Sequence, residues 1–585
     1  MADTTSVGTS NAFNRRRFLT AAGATALAAG GGAAVAETVS GSRADAVPAR
    51  PAAAREAVEG AFDASRPSNA GTTLSSVSTL PGGSGYRRLR PGPGWSLVVR
   101  PDLAAPKSGR EDRRRDLACF VQFTDLHLVD VQNPLRLEYM RADTASAWRP
   151  HEALTVAGAA SLVERVNSLG GGPHTGHPIG FVMTTGDNCD NNARVELEWF
   201  LTVMSGGRIT PNTGDPKAYE GVQNSNNPMY WHPESALRDQ DKKRGFPRIP
   251  GFLGAAISPV RSPGLRMPWY STVGNHDDLP LGCFTPAGKV FRDSATGHRK
   301  LQDVPAAEAS QLWAAIKKDP RQASAMYRDF LTGKSRKTRT VTADPRRAPF
   351  TPHDYLKAHL DPRFAGAGPA GHGYTSANLD GDRLYYAFTV ADGVIGISLD
   401  TTNRGGHFEG SIGTDQMRWL ERTLKAHKDA HVLVFSHHTS TSMKNLRTDP
   451  ARPKEKRHGG QELVTLLHAY PNVVAWINGH THKNQITAHP HANPARSFWE
   501  VNTASHIDYP QLARVIELVD NGDGTLSILT TLIESAAPVR TDFGDLSSVG
   551  LASLYRELSY NAPGVRTGLA GAPKDRNTEL LVKRA

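Results

Sequence analysis

The sequence predicts a layered α/β fold, and three observations carry that expectation. From Leu117 onward, short apolar runs alternate with amphipathic stretches at helical spacing. Hydrophobic residues are 38% of the 585-residue chain and charged residues 21%, a balance that supports a sizeable core. Gly 55 and Pro 39 mark a loop-rich chain without reaching the composition of a disordered one.

Candidate strands fall at 117–124 (LACFVQFT), 179–185 (IGFVMTT), 269–273 (WYSTV), 394–399 (VIGISL), 431–436 (HVLVFS) and 473–478 (VVAWIN). Candidate helices fall at 152–168, 193–204, 414–427 and 460–469. The helix at 414 has Thr414 as its candidate N-cap, with Met417, Leu420 and Leu424 on one face. Two long stretches interrupt the alternation: 205–268, rich in Pro, Gly and Asn, and 284–384, polar with two weak helices. Loops of that length are usually functional or disordered, so both read as insertions in a domain spanning 116–535. Residues 37–115 read as a Pro/Gly/Ala-rich segment with extended pairing around Trp95–Arg100, and 536–585 as a polar C-terminal extension.

The first 36 residues read as an address. Asn14-Arg15-Arg16-Arg17-Phe18-Leu19-Thr20 has the form of a twin-arginine export signal, followed by a weakly apolar Ala/Gly run ending in Ala34-Val35-Ala36. Expected consequences are passage through the twin-arginine translocase, an extracytoplasmic or secreted location, and a metal site loaded before export. No apolar run is long enough for a membrane span. The net charge of +11 comes with arginines scattered along the chain, which gives mild attraction for anions and no nucleic-acid footprint. Cys119, Cys189 and Cys283 cannot form a disulfide framework, and without CxxC spacing they suggest no thiolate zinc site.

Five predicted strands each end in groups able to bind a metal. These are Asp125 and His127, then Asp187, then Asn275-His276-Asp277, then His437-His438, then His480 and His482. In open α/β sheets ligands bind beyond the carboxyl ends of the strands, so the five termini are expected on one edge. All donors are oxygen or imidazole, a set that suits Mn, Fe, Zn, Ni or Co and not soft thiolate chemistry. Seven ligands are too many for one tetrahedral ion and fit two ions, with the two oxygens of Asp187 as the natural bridge. Such a pair, about 3.5–4 Å apart, clamps a phosphoryl group and yields hydroxide near neutral pH.

The five motifs, in order DxH, GD, GNH(D/E), H, GHxH, resemble the calcineurin-like metallophosphoesterase superfamily across Leu117 to Ser535. The resemblance implies a four-layer αββα sandwich with two mixed β-sheets flanked by helices. It implies one metal on Asp125, His127, Asp187 and His482, and a second on Asp187, Asn275, His437 and His480. It further implies that His276 stabilises charge or protonates the leaving oxygen, with Asp277 orienting its imidazole. Gln416-Met-Arg-Trp419-Leu420 is similar to the superfamily's Q-x-x-W-L helix, a packing element. Purple acid phosphatases carry a ligating Tyr where this chain has Asp190, which argues against a tyrosinate–Fe(III) pair. Asp130 and Asp190 read as supporting or surface carboxylates, and His407, His438 and His506 are left open as groups within reach.

The expected activity is hydrolysis of a small-molecule phosphate ester by metal-activated hydroxide, with a diester favoured slightly because no cationic clamp for a dianionic monoester is visible. The insertions would set specificity. Two rival readings are a nuclease of the same superfamily and a non-catalytic phosphoryl-binding protein on the same scaffold.

Overall fold

A computed structural model describes residues 67–584 apart from Ala287 and Ser335. The export signal therefore lies outside the described residues.

In chain order, the strands of the two main sheets are β1 (Val98–Arg100), β2 (Arg115–Phe123), β3 (Phe181–Thr185), β4 (Trp269–Thr272), β5 (Tyr386–Ala391), β6 (Val394–Ser398), β7 (His431–Phe435), β8 (Val473–Asn478), β9 (Gln485–His489), β10 (Phe498–Asn502), β11 (Ala513–Asp520), β12 (Thr525–Ile533) and β13 (Thr578–Lys583). The longer helices are α1 (Thr155–Ser168), α2 (Arg194–Ser205), α3 (Ala306–Lys318), α4 (Pro320–Thr332), α5 (Thr414–Ala426), α6 (Gly460–His468) and α7 (Ser548–Asn561).

One sheet has seven strands in the order β1-β13-β12-β11-β2-β3-β4, and the other has six in the order β5-β6-β7-β8-β10-β9. Both are mixed. β2, β3 and β4 run parallel, as do β6, β7, β8 and β10, while β11 to β13 pair antiparallel. The inner faces share one apolar core, in which the Phe120 ring meets that of Phe435 edge-on at 5.7 Å. α1, α2 and α7 join the core on the seven-stranded side. α5 and α6 close a second cluster over the six-stranded sheet through Leu420, Leu424, Leu463 and Leu467. The architecture is the expected four-layer sandwich.

Each predicted strand and helix is present within a few residues of its expected bounds. Helix α5 begins at Thr414, but Gly413 is its N-cap, and the Thr414 hydroxyl instead donates to the Lys456 carbonyl. The stretch read as a polar C-terminal extension contributes α7 and β13, the latter between β1 and β12. The insertion at 205–268 holds a short strand pair, Gly207–Ile209 with Val260–Ser262. The insertion at 284–384 carries α3 and α4 and, together with Leu135, Tyr139 and Met140, builds a small apolar core around Phe284, Phe291, Leu312 and Tyr327. Among the described residues no helix is long and apolar enough to cross a membrane, and all three cysteines are free and buried.

Candidate metal centre

The parallel register sets the site. Phe123 pairs with Thr184 and Thr185 with Thr272, so β2, β3 and β4 end level and release Asp125, Asp187 and Asn275 side by side. β7 and β8 end on the facing sheet and release His437, His480 and His482. The single edge expected from sequence is two edges, one from each sheet, because the ligand-bearing strands divide three and two between them.

Five of the seven predicted ligands take left-handed backbone angles: Asp125 (φ 51), His127 (φ 43), Asp187 (φ 51), His480 (φ 70) and His482 (φ 55). Non-glycine residues at such angles cost on the order of 1–3 kcal/mol each and persist where their surroundings fix them. Here the first two loops are zipped together: Asp125 donates to the Gly186 carbonyl, His127 to that of Asp187, and Leu128 to that of Asn188. The motif glycines permit the close approach. A Cβ on Gly479 would lie 1.9 Å from the Thr124 hydroxyl oxygen and 2.6 Å from Asp125 Oδ2.

The side chains converge. Asp187 Oδ2 lies 3.1 Å from His437 Nε2 and 3.6 Å from His127 Nε2. His482 Nε2 is 3.2 Å from Asp125 Oδ1. His437 Nε2 is 3.0 Å from Asn275 Oδ1 and 3.2 Å from His480 Nδ1. Among the described residues four potential metal groups form: Asp125, His127 and His482; Asp125, Asp187 and His437; His127, Asp187 and His276; and His437, His438 and His480. One oxygen of Asp187, rather than both, faces the two histidines, since Oδ1 accepts the main-chain N–H of His276 at 2.8 Å.

The donor set fits divalent cations. His127 Nε2 is buried with no hydrogen-bond partner, an expensive condition that a cation relieves, and Asp125 Oδ1 beside it meets His482 Nε2. The other ring nitrogens are already committed: His127 Nδ1 to Asp190 at 3.0 Å, His482 Nδ1 to Asp508 at 2.7 Å, and His437 Nδ1 to the Thr185 carbonyl at 2.8 Å. Such bonds fix tautomer and ring orientation in metal-binding histidines. Burial alone would lower His437 and His482, but nearby carboxylates outweigh it. Asp187 raises His437 to about 9, and Asp125 with Asp508 raises His482 to about 10. Burial and the neighbouring imidazoles His438 and His437 push His480 well down.

His276 lines the cavity beside these groups, with its Nδ1 2.6 Å from the Asp190 carbonyl oxygen. The orienting role expected of Asp277 is thus filled by main chain. The Asp277 carboxylate turns away and accepts the N–H groups of Asn188, Cys189 and Gly274, tying the second motif to the third. Burial and the adjacent Asp187 charge push it up to about 7.

His438 is held by the Thr401 hydroxyl and the Phe408 carbonyl, with its ring 4.5 Å from that of His480. His407 binds main chain at Lys317 and Glu409, and His506 packs against Tyr555. Neither of these two lines the cavity. Gln416 of the Q-x-x-W-L helix brackets the main chain of Asp400, as a packing residue does. Asp508, Arg149 and Arg136 are the neighbours that sequence reading missed. Arg149 grips Asp508 at 2.6 and 2.9 Å, and Arg136 binds Asp190 at 2.7 Å. Asp508 stands two residues after His506, which the sequence leaves open as a group within reach.

No protein-family profile matches the chain. It is 25% identical over 117 residues to the glycerophosphodiester phosphodiesterase GpdQ of Enterobacter lignolyticus, a match covering 20% of this chain and 41% of that protein. The chain thus spans less than half the length of this curated relative. A solved dimetal phosphatase from Danio rerio aligns with TM-score 0.33 at 9% identity, over 72% of this chain and 100% of that one. Motif order, converging His/Asp clusters and the GpdQ similarity agree. This distant similarity and the clustered donors support a resemblance to the calcineurin-like metallophosphoesterase superfamily. The buried His/Asp clusters sit at the carboxyl ends of strands from both sheets, and His127, Asp187, His276, His480 and His482 line a cavity of about 480 Å³.

Proposed function

We propose that this metallophosphoesterase is an exported binuclear-metal phosphoric ester hydrolase that favours diesters. The observation carrying the reading is Asp187 Oδ2, which stands between His127 Nε2 and His437 Nε2, one from each donor set. One ion would be held by Asp125, His127, Asp187 and His482, and the other by Asp187, Asn275, His437 and His480. When bound, ions of the Mn, Fe, Zn, Ni or Co class supply Lewis acidity and lower the pKa of a water.

The chain's own residues do the rest. Asp190 and Asp508 hold His127 and His482 with Nε2 facing inward. His276 has Nδ1 committed to main chain, leaving Nε2 to carry a proton to the departing alkoxide. The arginines nearest the histidines are spent on carboxylates: Arg136 on Glu138, Glu152 and Asp190, Arg149 on Asp508. Neither offers a free guanidinium, while Arg566 also lines the cavity, and the diester reading is supported by the named activity of the GpdQ relative. The twin arginines Arg15-Arg16 and the Ala34-Val35-Ala36 stretch support export to an extracytoplasmic or secreted location.

Metal analysis of the purified protein, combined with rates on bis-p-nitrophenyl phosphate and p-nitrophenyl phosphate, tests the proposal. Two ions per chain and faster diester turnover are expected. Turnover of the monoester alone would overturn the diester preference, and metal content without turnover across a broad ester panel would leave a binding protein.

A further inference from the structure

The insertion at 284–384 does more than surround the site. Its apolar core has a partly buried fringe, and five members of that fringe, Leu137, Ala147, Leu281, Trp313 and Phe408, line the same cavity as His127, Asp187, His276 and His482. Trp313 comes from α3 inside the insertion. Phe408 is anchored to the centre through its carbonyl, 3.1 Å from Nε2 of His438, whose ring abuts His480. The two rings lie 6.3 Å apart and nearly parallel, so they present one continuous apolar surface. Val565, Arg566 and Leu569 follow α7 and add to its lining.

A phosphoester entering this cavity divides by chemistry. Its anionic phosphoryl group belongs at the His/Asp floor, and its organic groups must lie against the walls. Partly exposed apolar side chains in a concave site mark an apolar ligand group. Lys317 Nζ sits 5.2 Å over the Trp313 ring itself, and Arg566 also lines the cavity. Arg136 and Arg149 are neutralised by their carboxylates. The floor attracts the phosphoryl charge, and the rings of Trp313 and Phe408 offer hydrophobic contact to the organic group.

Resting on the phosphodiesterase reading above, we propose that the substrate is a phosphodiester with at least one apolar alkyl or aryl ester group, selected by a wall in which Trp313 and Phe408 determine specificity.

The test uses the full metal-loaded protein and three p-nitrophenyl phosphodiesters sharing one leaving group: methyl, hexyl and phenyl. Hexyl and phenyl esters are expected to exceed the methyl ester in kcat/KM by about tenfold or more, the range for apolar pocket discrimination, with KM carrying most of the difference. The ratio is expected to collapse toward unity in Trp313→Ala and Phe408→Ala and to survive in Phe408→Leu, which keeps an apolar side chain. Competition against the methyl ester supplies a measurement on the unaltered protein, with diphenyl phosphate expected to inhibit more strongly than dimethyl phosphate. Turnover of all three esters without preference, equal inhibition by the two competitors, or an unchanged ratio in both alanine variants overturns the wall and leaves the phosphodiesterase reading standing. Turnover of none of the three overturns that reading itself, and the wall with it.

Discussion

Asp508 accepts the Nδ1 proton of His482 at 2.7 Å while both arms of Arg149 hold its carboxylate in place. Asp190 does the same for His127 under the grip of Arg136. Two predicted metal-binding histidines are thus steered by arginine-clamped carboxylates. Asp508→Ala is expected to weaken metal affinity by about 10–100-fold, the usual range for loss of such a partner. Competition with a chelator measures it, and activity restored at high metal concentration separates a positioning loss from misfolding. Unchanged affinity would remove Asp508 from the site.

Asp187→Asn is expected to abolish both metal occupancy and turnover. Oδ1 is held by the His276 N–H, and Oδ2 alone stands between the two histidine sets. A neutral amide supplies neither the charge nor two equivalent oxygens. Elemental analysis beside diester rates checks this, and two ions retained per chain would contradict the bridging assignment.

His276→Ala is expected to retain the metals while turnover falls by roughly 10²–10⁴, the contribution of a positioned general acid. Alanine preserves the main-chain N–H bond of His276 to Asp187 and removes only the ring, which packs 4.6 Å from that of His127. Metal loss in this variant would make His276 a ligand.

Glu579 in β13 ties the N-terminal segment to the sheet through Arg110, Arg114 and Ser527. Burial pushes its carboxyl up, but those partners prevail and bring it down to about 2, from 4.5 for a free glutamate. The folded state therefore holds the anion more strongly than the unfolded chain. The resulting stability is complete above pH 4.5 and fades as pH falls from there toward 2. Glu579→Gln is expected to cost about 1.5–3 kcal/mol at pH 7, as for hydrogen bonds to a charged group, and much less near pH 2–3. Denaturant midpoints of both proteins at the two pH values check it.

The sequence made the inner strands legible because β2, β3, β7 and β8 are nearly unbroken apolar runs. β11 and β12 escaped because Arg514, Glu517 and Thr530 interrupt the pattern. In the fold these residues are buried and paired, Arg514 with Thr503 and Thr530, and Glu517 with Thr175. α7 was hidden for the same reason, since Arg556 and Glu557 look solvated yet bind Ser535 and Tyr86. Motif order also brought all seven predicted donors to one place. It could not disclose Asp508 or Arg149, because they meet His482 only through the folding of distant loops and share no spacing with it. Asp277 was misjudged because adjacency to His276 suggests contact, whereas a helical turn sends the two side chains apart.

Asp187 hangs from the seven-stranded sheet and His437 from the six-stranded one, with only 3.1 Å between their nearest atoms. The centre is therefore a caliper closed across the sandwich. A substitution at the Phe120–Phe435 contact that slid one sheet past the other by an ångström would pull its jaws out of line, and lost catalysis would report the slip while every ligand stayed intact.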